Sequence, residues 1–346
     1  MRPLTLTRLF LRCSVLAAIL FVVVVVALKL GAVQVSLYGL GKDLISVLLH
    51  RTSSLSSDYG MIVLDIRLPR ILLAIMVGAS LSVAGASFQA LLRNPLADPY
   101  VLGVSSGAAL GAIVALILEN RLNISPEMAG LVTPLGAFAG AAVTIAVVYV
   151  LGRRDGEIDS TTLLLGGVIT ASFLSAVIMV LMTTLSGNNL RGAVFWLMGD
   201  LSTPQPRSLL YFLSFGFIAA AGAIYTTASD LNLLLAGEKE AMHLGVDVPR
   251  VRIVVYLAVS VLTGLAVSVS GLIGYVGLLV PHIMRLIFGS DHRMLLPAAA
   301  LGGAIALVIA DTLARTVTSP TDIPVGAMTA IAGAPLFIYL LRRRFA

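Results

Sequence analysis

What most constrains this chain is a succession of apolar runs, each about as long as a bilayer core is thick, separated by short charged or Gly/Pro-rich breaks. Spanning about 30 Å of hydrocarbon takes roughly 20 apolar residues in a helix. With no water in the bilayer core, the backbone must be bonded within each segment. Divided at charges and at Gly and Pro clusters, the runs fall at about 14–33, 70–92, 100–118, 129–151, 162–185, 208–228, 252–270, 271–289, 295–315 and 324–341. They predict an all-α polytopic membrane protein, about ten transmembrane helices forming a single domain over residues 1–346. Only Ser270-Gly271 is available as a turn between the seventh and eighth runs. Composition agrees: 58% of residues are hydrophobic and 12% charged, against about 25% charged in soluble domains. The long, non-alternating runs exclude a transmembrane barrel.

Charge fixes the orientation. Arg2, Arg8 and Arg12 precede the first run, which is long and shows no small-residue cleavage site, so it reads as a retained span rather than a signal peptide. Under the positive-inside rule these arginines and Arg342, Arg343 and Arg344 both belong in the cytoplasm, which requires an even number of spans. The same assignment places Arg93, Arg153, Arg154, Lys239, Arg250, Arg252 and Arg293 inside. Arg67, Arg70 and Arg315 fall outside and admit two readings. They are interfacial side chains with snorkelling stems, Arg315 standing four residues from Asp311 on one helix face. Alternatively they form a basic patch that meets carboxylates on a soluble partner.

The most polar long segment between spans is GEKEAMHLGVDVPRVR, residues 237–252. A charged side chain at the bilayer centre costs about 2.5–3.5 kcal/mol on insertion scales, so this segment lies outside the lipid. Ala241, Leu244 and Val248 recur at three- and four-residue spacing, and Gly245 and Pro249 divide the pattern into two short amphipathic helices. Within the spans, glycine falls in small-residue clusters such as Gly78-Ala79-Ser80, Gly85-Ala86-Ser87 and Gly302-Gly303-Ala304, which let helices approach closely in lipid.

Catalytic signatures are missing: no His-Glu-x-x-His helix, no Walker phosphate loop, no G-x-S-x-G elbow. The histidines His50, His243, His282 and His292 are scattered, and the single cysteine, Cys13, supports neither a disulfide framework nor a cysteine metal site. The net charge of +6 reflects lysine and arginine left in the loops and makes no case for nucleic acid. The spans are nearly free of the buried charges that ion-coupled carriers use. A transport protein of this kind is not an enzyme and draws its energy from another chain. The competing readings are an ion-coupled secondary transporter or channel, which needs coupling carboxylates in the spans, and a membrane-embedded enzyme, which needs paired catalytic groups at one depth.

Several long motifs in fixed order carry a resemblance. They are RLPR at 67–70, NPLADPYVLGVSSGAALGA at 94–112, the GEKEAMHLGV loop, GLIGYVGLLVPHIMR at 271–285, DHRMLLP at 291–297, ADTLAR at 310–315 and IPVGAMTAIAGAPLFIYLLRR at 323–343. Over nearly its full length the chain resembles the FecCD or BtuC-like permeases of binding-protein-dependent ABC importers for iron-siderophores, haem and vitamin B12. The resemblance implies a type II importer permease in a bacterial cytoplasmic (inner) membrane, with both termini cytoplasmic. Its partners would be a second copy of itself, two ATPase subunits carrying ATP and magnesium, and a periplasmic or lipid-anchored binding protein. No cofactor or metal is expected in this chain. Arg67, Arg70 and Arg315 match docking arginines for the binding protein. Gly237, Glu238, Ala241, Leu244, Gly245 and Val246 match the coupling segment that seats on the ATPase, within 237–252. Asn94 and Leu96, with Ser160 and Thr161, match a cytoplasmic gate, although the arginine found just after the second pair in the vitamin B12 permease is missing here. The resemblance leaves ferric siderophore, haem and corrinoid open as cargo, with an iron chelate favoured on the breadth of the family and a cobalamin importer as the alternative.

Overall fold

The computed structural model describes residues 5–31, 62–122, 126–154, 157–158, 160–185, 187–319 and 321–345. Arg2, His50 and the end of the first expected span lie outside these residues. Helix α1 (Leu6–Lys29) begins at an N-cap, Thr5, whose hydroxyl accepts from the Arg8 N–H at 3.4 Å. A π-helical turn, Ile62–Arg67, leads into α2 (Leu68–Leu91), where Pro69 sits in the first turn and no helical N–H is lost. Helices α3 (Val104–Leu122), α4 (Pro126–Gly152) and α5 (Ser160–Met182) follow, with a two-residue antiparallel ladder, Arg153–Arg154 on Glu157–Ile158, between the last two. The chain continues through α6 (Gly187–Leu197), α7 (Arg207–Thr226), α8 (Ala228–Leu234), α9 (Glu238–His243), α10 (Val248–Ser270), α11 (Val276–Phe288), α12 (His292–Ala314) and α13 (Val325–Phe345).

Every expected span has its helix. Among the described residues, 8 helices are long and apolar enough to cross a membrane, and Val276–Phe288 and Val325–Leu340 are shorter apolar helices. Burial sorts them. In α2, 83% of the most apolar stretch is inside the protein, whereas in α1 the share is 6%. Helices α2, α10 and α12 therefore form the centre, with α10 and α12 each packed on α2 and α11 packed on α2 and α12, while α1, α5 and α7 present apolar side chains outward as lipid-facing helices do.

The centre is held by backbone approach. A Cβ on Gly78 would lie 2.2 Å from the Gly303 carbonyl oxygen, and one on Gly85 would lie 1.7 Å from that of Gly277, so α2 meets α12 and α11 without intervening side chains. Helices α3 and α4 cross in the same way, Gly107 and Gly111 lying against Gly140 and Gly136. Apolar surface gains nothing by leaving lipid for protein, so association rests on this close packing.

The seventh and eighth spans are joined by more than a two-residue turn. Residues 271–275 are non-helical, with Gly271 and Tyr275 at φ 63° and 68°. At 13 residues, α11 is about 20 Å long, short of a full span. Its missing length is this extended segment, which is tolerated because it is buried in protein. Asp200 N–H donates to the Ser270 carbonyl at 2.8 Å, Gly326 N–H to that of Gly199 at 3.2 Å, and the Tyr100 hydroxyl to that of Ile273 at 3.0 Å. Helix α6, whose last turn rests on this bend, occupies what the apolar pattern leaves as a connection. It is too short to register as a span.

The polar segment 237–252 also differs from its expected form. Only α9 is a separate short helix, because Val248 already begins α10, and the second short helix of this face is α8, upstream. Leu244, expected on the inner face with Ala241 and Val248, points outward. The reason is the C-cap: Gly245 at φ 87° ends α9, with Val246 N–H donating to the Ala241 carbonyl and Gly245 N–H to that of Met242, both at 3.0 Å. Helical periodicity stops one residue too soon to carry Leu244 inward.

Candidate functional site

At the end of the bundle that the charge rule places outside, Arg67, Arg70 and Arg315 come together, although Arg70 and its partner Asp311 stand 241 positions apart in the chain. They do not form an open patch. Arg67 is buried, and its Nη1 donates to the carbonyls of Leu28 at 2.6 Å and Lys29 at 3.3 Å. Arg315, also buried, donates from Nη2 to the Ala27 carbonyl at 2.6 Å and from Nη1 to that of Leu30 at 3.1 Å. The two guanidiniums cap the open carbonyls of α1 and offset the negative end of its dipole. Arg70 Nε donates to Asp311 Oδ1 at 2.8 Å and Nη1 to Asp322 Oδ2 at 2.7 Å. Asp311 is 1% exposed; its other oxygen lies 3.5 Å from Arg315 Nε without hydrogen-bond geometry. The pairing of Arg315 with Asp311 was legible as an i,i+4 spacing. Asp322 and the α1 carbonyls were not, because nothing in the chain ties residues so far apart.

Two cavities open at this end of the bundle, and the smaller reaches the cluster at Arg70. One, about 140 Å³, is lined by Asp65, Arg70, Ser202 and Gln205. The other, about 480 Å³, lies between α3, α4, α6 and α10, with Glu119, Thr133, Trp196, Asp200 and Gln205 on its walls.

At the opposite end, α2 stops at a turn holding Asn94 and Leu96. Asn94 Oδ1 accepts from the Leu96 N–H at 2.9 Å and the Asn94 carbonyl from the Ala97 N–H at 3.1 Å, which fixes the turn. Asp98 then caps a 3-10 turn, Pro99–Leu102, through the Tyr100 N–H. Burial pushes the Asp98 carboxyl above the usual carboxylate range, partly opposed by that hydrogen bond. Helix α5 starts at Ser160, packs on this 3-10 turn through Gly167, and leaves Thr161 exposed at the same end. The two expected gate segments thus share one face of the bundle, with Asn94 and Leu96 also exposed.

The expected coupling residues lie beside them. Ala241 and Val246 are buried in the core and pin α9, while Met242 (52%) and Leu244 (64%) stand exposed among charges. Glu238, the first residue of α9, accepts from Arg93 Nη2 at 3.4 Å and from Arg252 Nη2 of α10. Gly237, at φ 136°, leaves room for the Glu240 carboxylate. Helix α8 is tied to α12 by Asn232, which donates to Asp291 Oδ1 and accepts from the His292 N–H, both at 2.8 Å. Hydrogen bonds from Arg293 hold the Asp291 carboxyl down at about 2, against a smaller upward push from burial.

A multi-pass helical bundle with a glycine-packed centre, a buried arginine cluster at one end and a pinned amphipathic helix beyond the other is a membrane transport scaffold. The chain belongs to the FecCD transport family, whose model matches residues 19–343. It is 46% identical over 284 residues to the cobalamin import system permease protein BtuC of Halobacterium salinarum, covering 82% of this chain and 74% of that one. To the hemin transport system permease protein HmuU of Yersinia pestis it is 42% identical over 281 residues, covering 81% and 83%. A solved structure described as the inward-facing conformation of a metal-chelate type ABC transporter superposes with a TM-score of 0.82 at 30% identity, covering 96% of this chain and 98% of that one.

Proposed function

We propose that this chain is the permease of a binding-protein-dependent ABC importer in a bacterial cytoplasmic membrane, with both termini inside, and that it passes an iron chelate or a corrinoid inward. Two copies enclose the path, and ATP with magnesium is held and hydrolysed on two partner subunits. Family membership and the cobalamin, haemin and metal-chelate relatives support the cargo class. An iron chelate is preferred, with cobalamin as the alternative.

The observation that carries the reading is α9. An apolar pair, Met242 and Leu244, stands in water on a helix whose other face is locked into the core by Ala241 and Val246. Exposed apolar surface on a rigid cytoplasmic element marks a protein contact, and here that contact is the ATPase. Closure of the ATPase dimer moves 237–252, and the bundle opens at the gate formed by Asn94, Leu96, Ser160 and Thr161. Nucleotide shifts this equilibrium only through its different affinity for the two states.

At the outer end, a binding protein docks through carboxylates on Arg67, Arg70 and Arg315. Because these arginines are already paired, docking proceeds by exchange. An incoming carboxylate takes the place of the partly exposed Asp322 on Arg70, or of an α1 carbonyl on Arg315. Charge complementarity then sets the register of the complex.

The test is uptake in proteoliposomes containing this chain, its ATPase and its binding protein, offered labelled ferric siderophore, haemin and cyanocobalamin in turn. ATP-dependent uptake of one of them is expected, lost in a Met242→Ser, Leu244→Ser double variant that still assembles as a dimer. Uptake that persists without the ATPase sinks the reading.

A further inference from the structure

Helix α2 ends in a way that its own stability does not explain. Arg93 N–H donates to the Ala90 carbonyl at 3.1 Å and Asn94 N–H to that of Gln89 at 3.0 Å, the paired bonds of a Schellman C-cap. The residue at the left-handed position of this motif is normally glycine, which has no Cβ to clash. Here it is Arg93, at φ 49°, one of two non-glycine residues with positive φ among the described residues.

The side chain offers little stability in return. Arg93 is 46% exposed, its partner Glu238 is 31% exposed, and their separation is 3.4 Å; water-exposed pairs of this kind contribute almost nothing to folding. A strained backbone kept for a weak surface contact points to function rather than stability.

Placement says which function. Arg93 immediately precedes Asn94, and the turn 94–97 is internally fixed by the Asn94 side chain and carbonyl. Its guanidinium reaches the first residue of α9, the helix whose apolar pair stands outside the bundle. Glu238 is also held by Arg252 in the first turns of α10. One carboxylate therefore joins three elements: the end of α2 with its gate turn, α9, and the start of α10.

We propose that Arg93 is a positioning residue that transmits displacement of α9 to the 94–97 turn, with Glu238 as the shared joint. This rests on the ABC-permease reading above. In that mechanism the ATPase moves α9, the Arg93–Glu238 pair drags the rigid turn, and the strained φ of Arg93 keeps the guanidinium aimed at α9. Loss of the pair leaves both elements folded and lets one move without the other.

The experiment measures cargo taken up and ATP hydrolysed in the reconstituted complex, using ferric siderophore, haemin and cyanocobalamin as probes, for wild type, R93K, R93Q, R93G and E238Q. Thermal unfolding is followed in parallel. R93K keeps the charge and transports as wild type. R93Q, R93G and E238Q hydrolyse about threefold or more ATP per cargo imported, within the range by which such linkages alter coupling. R93G in addition melts about 2 °C higher than wild type, because glycine relieves the left-handed strain. The decisive signature is this split, a more stable protein that is less coupled. Wild-type stoichiometry in R93Q and R93G overturns the proposal, and so does a fall in melting temperature in R93G that tracks lost transport, since that is a merely structural role. Wild-type complex that shows no ATP-driven uptake of any probe instead refutes the ABC reading itself, and the inference falls with it.

Discussion

Replacing Asp311 by asparagine tests whether the outer arginine cluster is a buried ion network. The carboxylate is 1% exposed, 2.8 Å from Arg70 Nε and 3.5 Å from Arg315 Nε. With an effective dielectric of about 20, attractions at these distances are roughly 6 and 5 kcal/mol before desolvation is subtracted. Removing one member of a buried pair costs about 3–5 kcal/mol, because it strands the partner's charge. Two features push the value to the low end. Arg70 keeps Asp322 at 2.7 Å, and Arg315 keeps the Ala27 and Leu30 carbonyls at the negative end of α1. We expect D311N to lose about 2–3 kcal/mol, equivalent to roughly 3–4 °C in melting temperature for a chain of this length. Heating the detergent-purified protein and measuring the monodisperse fraction by size exclusion reads this directly. A D322N variant, whose carboxylate is partly exposed, should move by 2 °C or less on the same scale. D311N melting within about 2 °C of wild type would refute the argument that this carboxylate neutralises buried guanidiniums.

Gly85→Ala has no room, its Cβ meeting the Gly277 carbonyl oxygen at 1.7 Å; it should reduce the folded yield severely, by the 1–3 kcal/mol or more typical of overpacking. Gly222→Ala, with nothing within 4 Å on the outward-facing α7, should be neutral or stabilising by up to about 1 kcal/mol, and the pair of melting temperatures checks both. The depressed Asp291 carboxyl gives a signed pH prediction. Its folded value, about 2, lies below that of the unfolded chain, so its stabilising contribution is complete above about pH 4 and disappears as pH falls through the folded value. D291N should therefore melt below wild type at pH 7, and the difference should shrink as pH falls below about 4 and vanish only below the folded value. Tyr100→Phe removes the hydroxyl that bonds the Ile273 carbonyl at 3.0 Å and leaves that buried acceptor unpaired, costing about 1–3 kcal/mol, measured in the same melting assay.

Much of this protein was decided by the chain read in one dimension. Ten apolar runs gave ten helices, because a bilayer leaves the backbone no other way to satisfy its hydrogen bonds, and run length is a local property. The polar stretch around Glu238 had to leave the lipid for the same reason. The glycine clusters announced close packing, although Gly78 did not name Gly303 as its partner. What sequence could not supply were choices made between distant segments. The burial of Arg67 and Arg315 depends on where α1 ends in space, and the company of Arg70 on Asp311 and Asp322, more than 240 positions away. The short α11 with its extended approach through 271–275 exists only because Gly199 and Gly326 lie against it. Leu244 faces water because a glycine cap intervenes before the helical repeat closes. Local physics in lipid is severe enough to fix the long apolar helices from composition and spacing alone, but not the short α6 and α8. The partners of the charges depend on three-dimensional neighbours, because their energy is a matter of ångströms between groups that the chain keeps far apart.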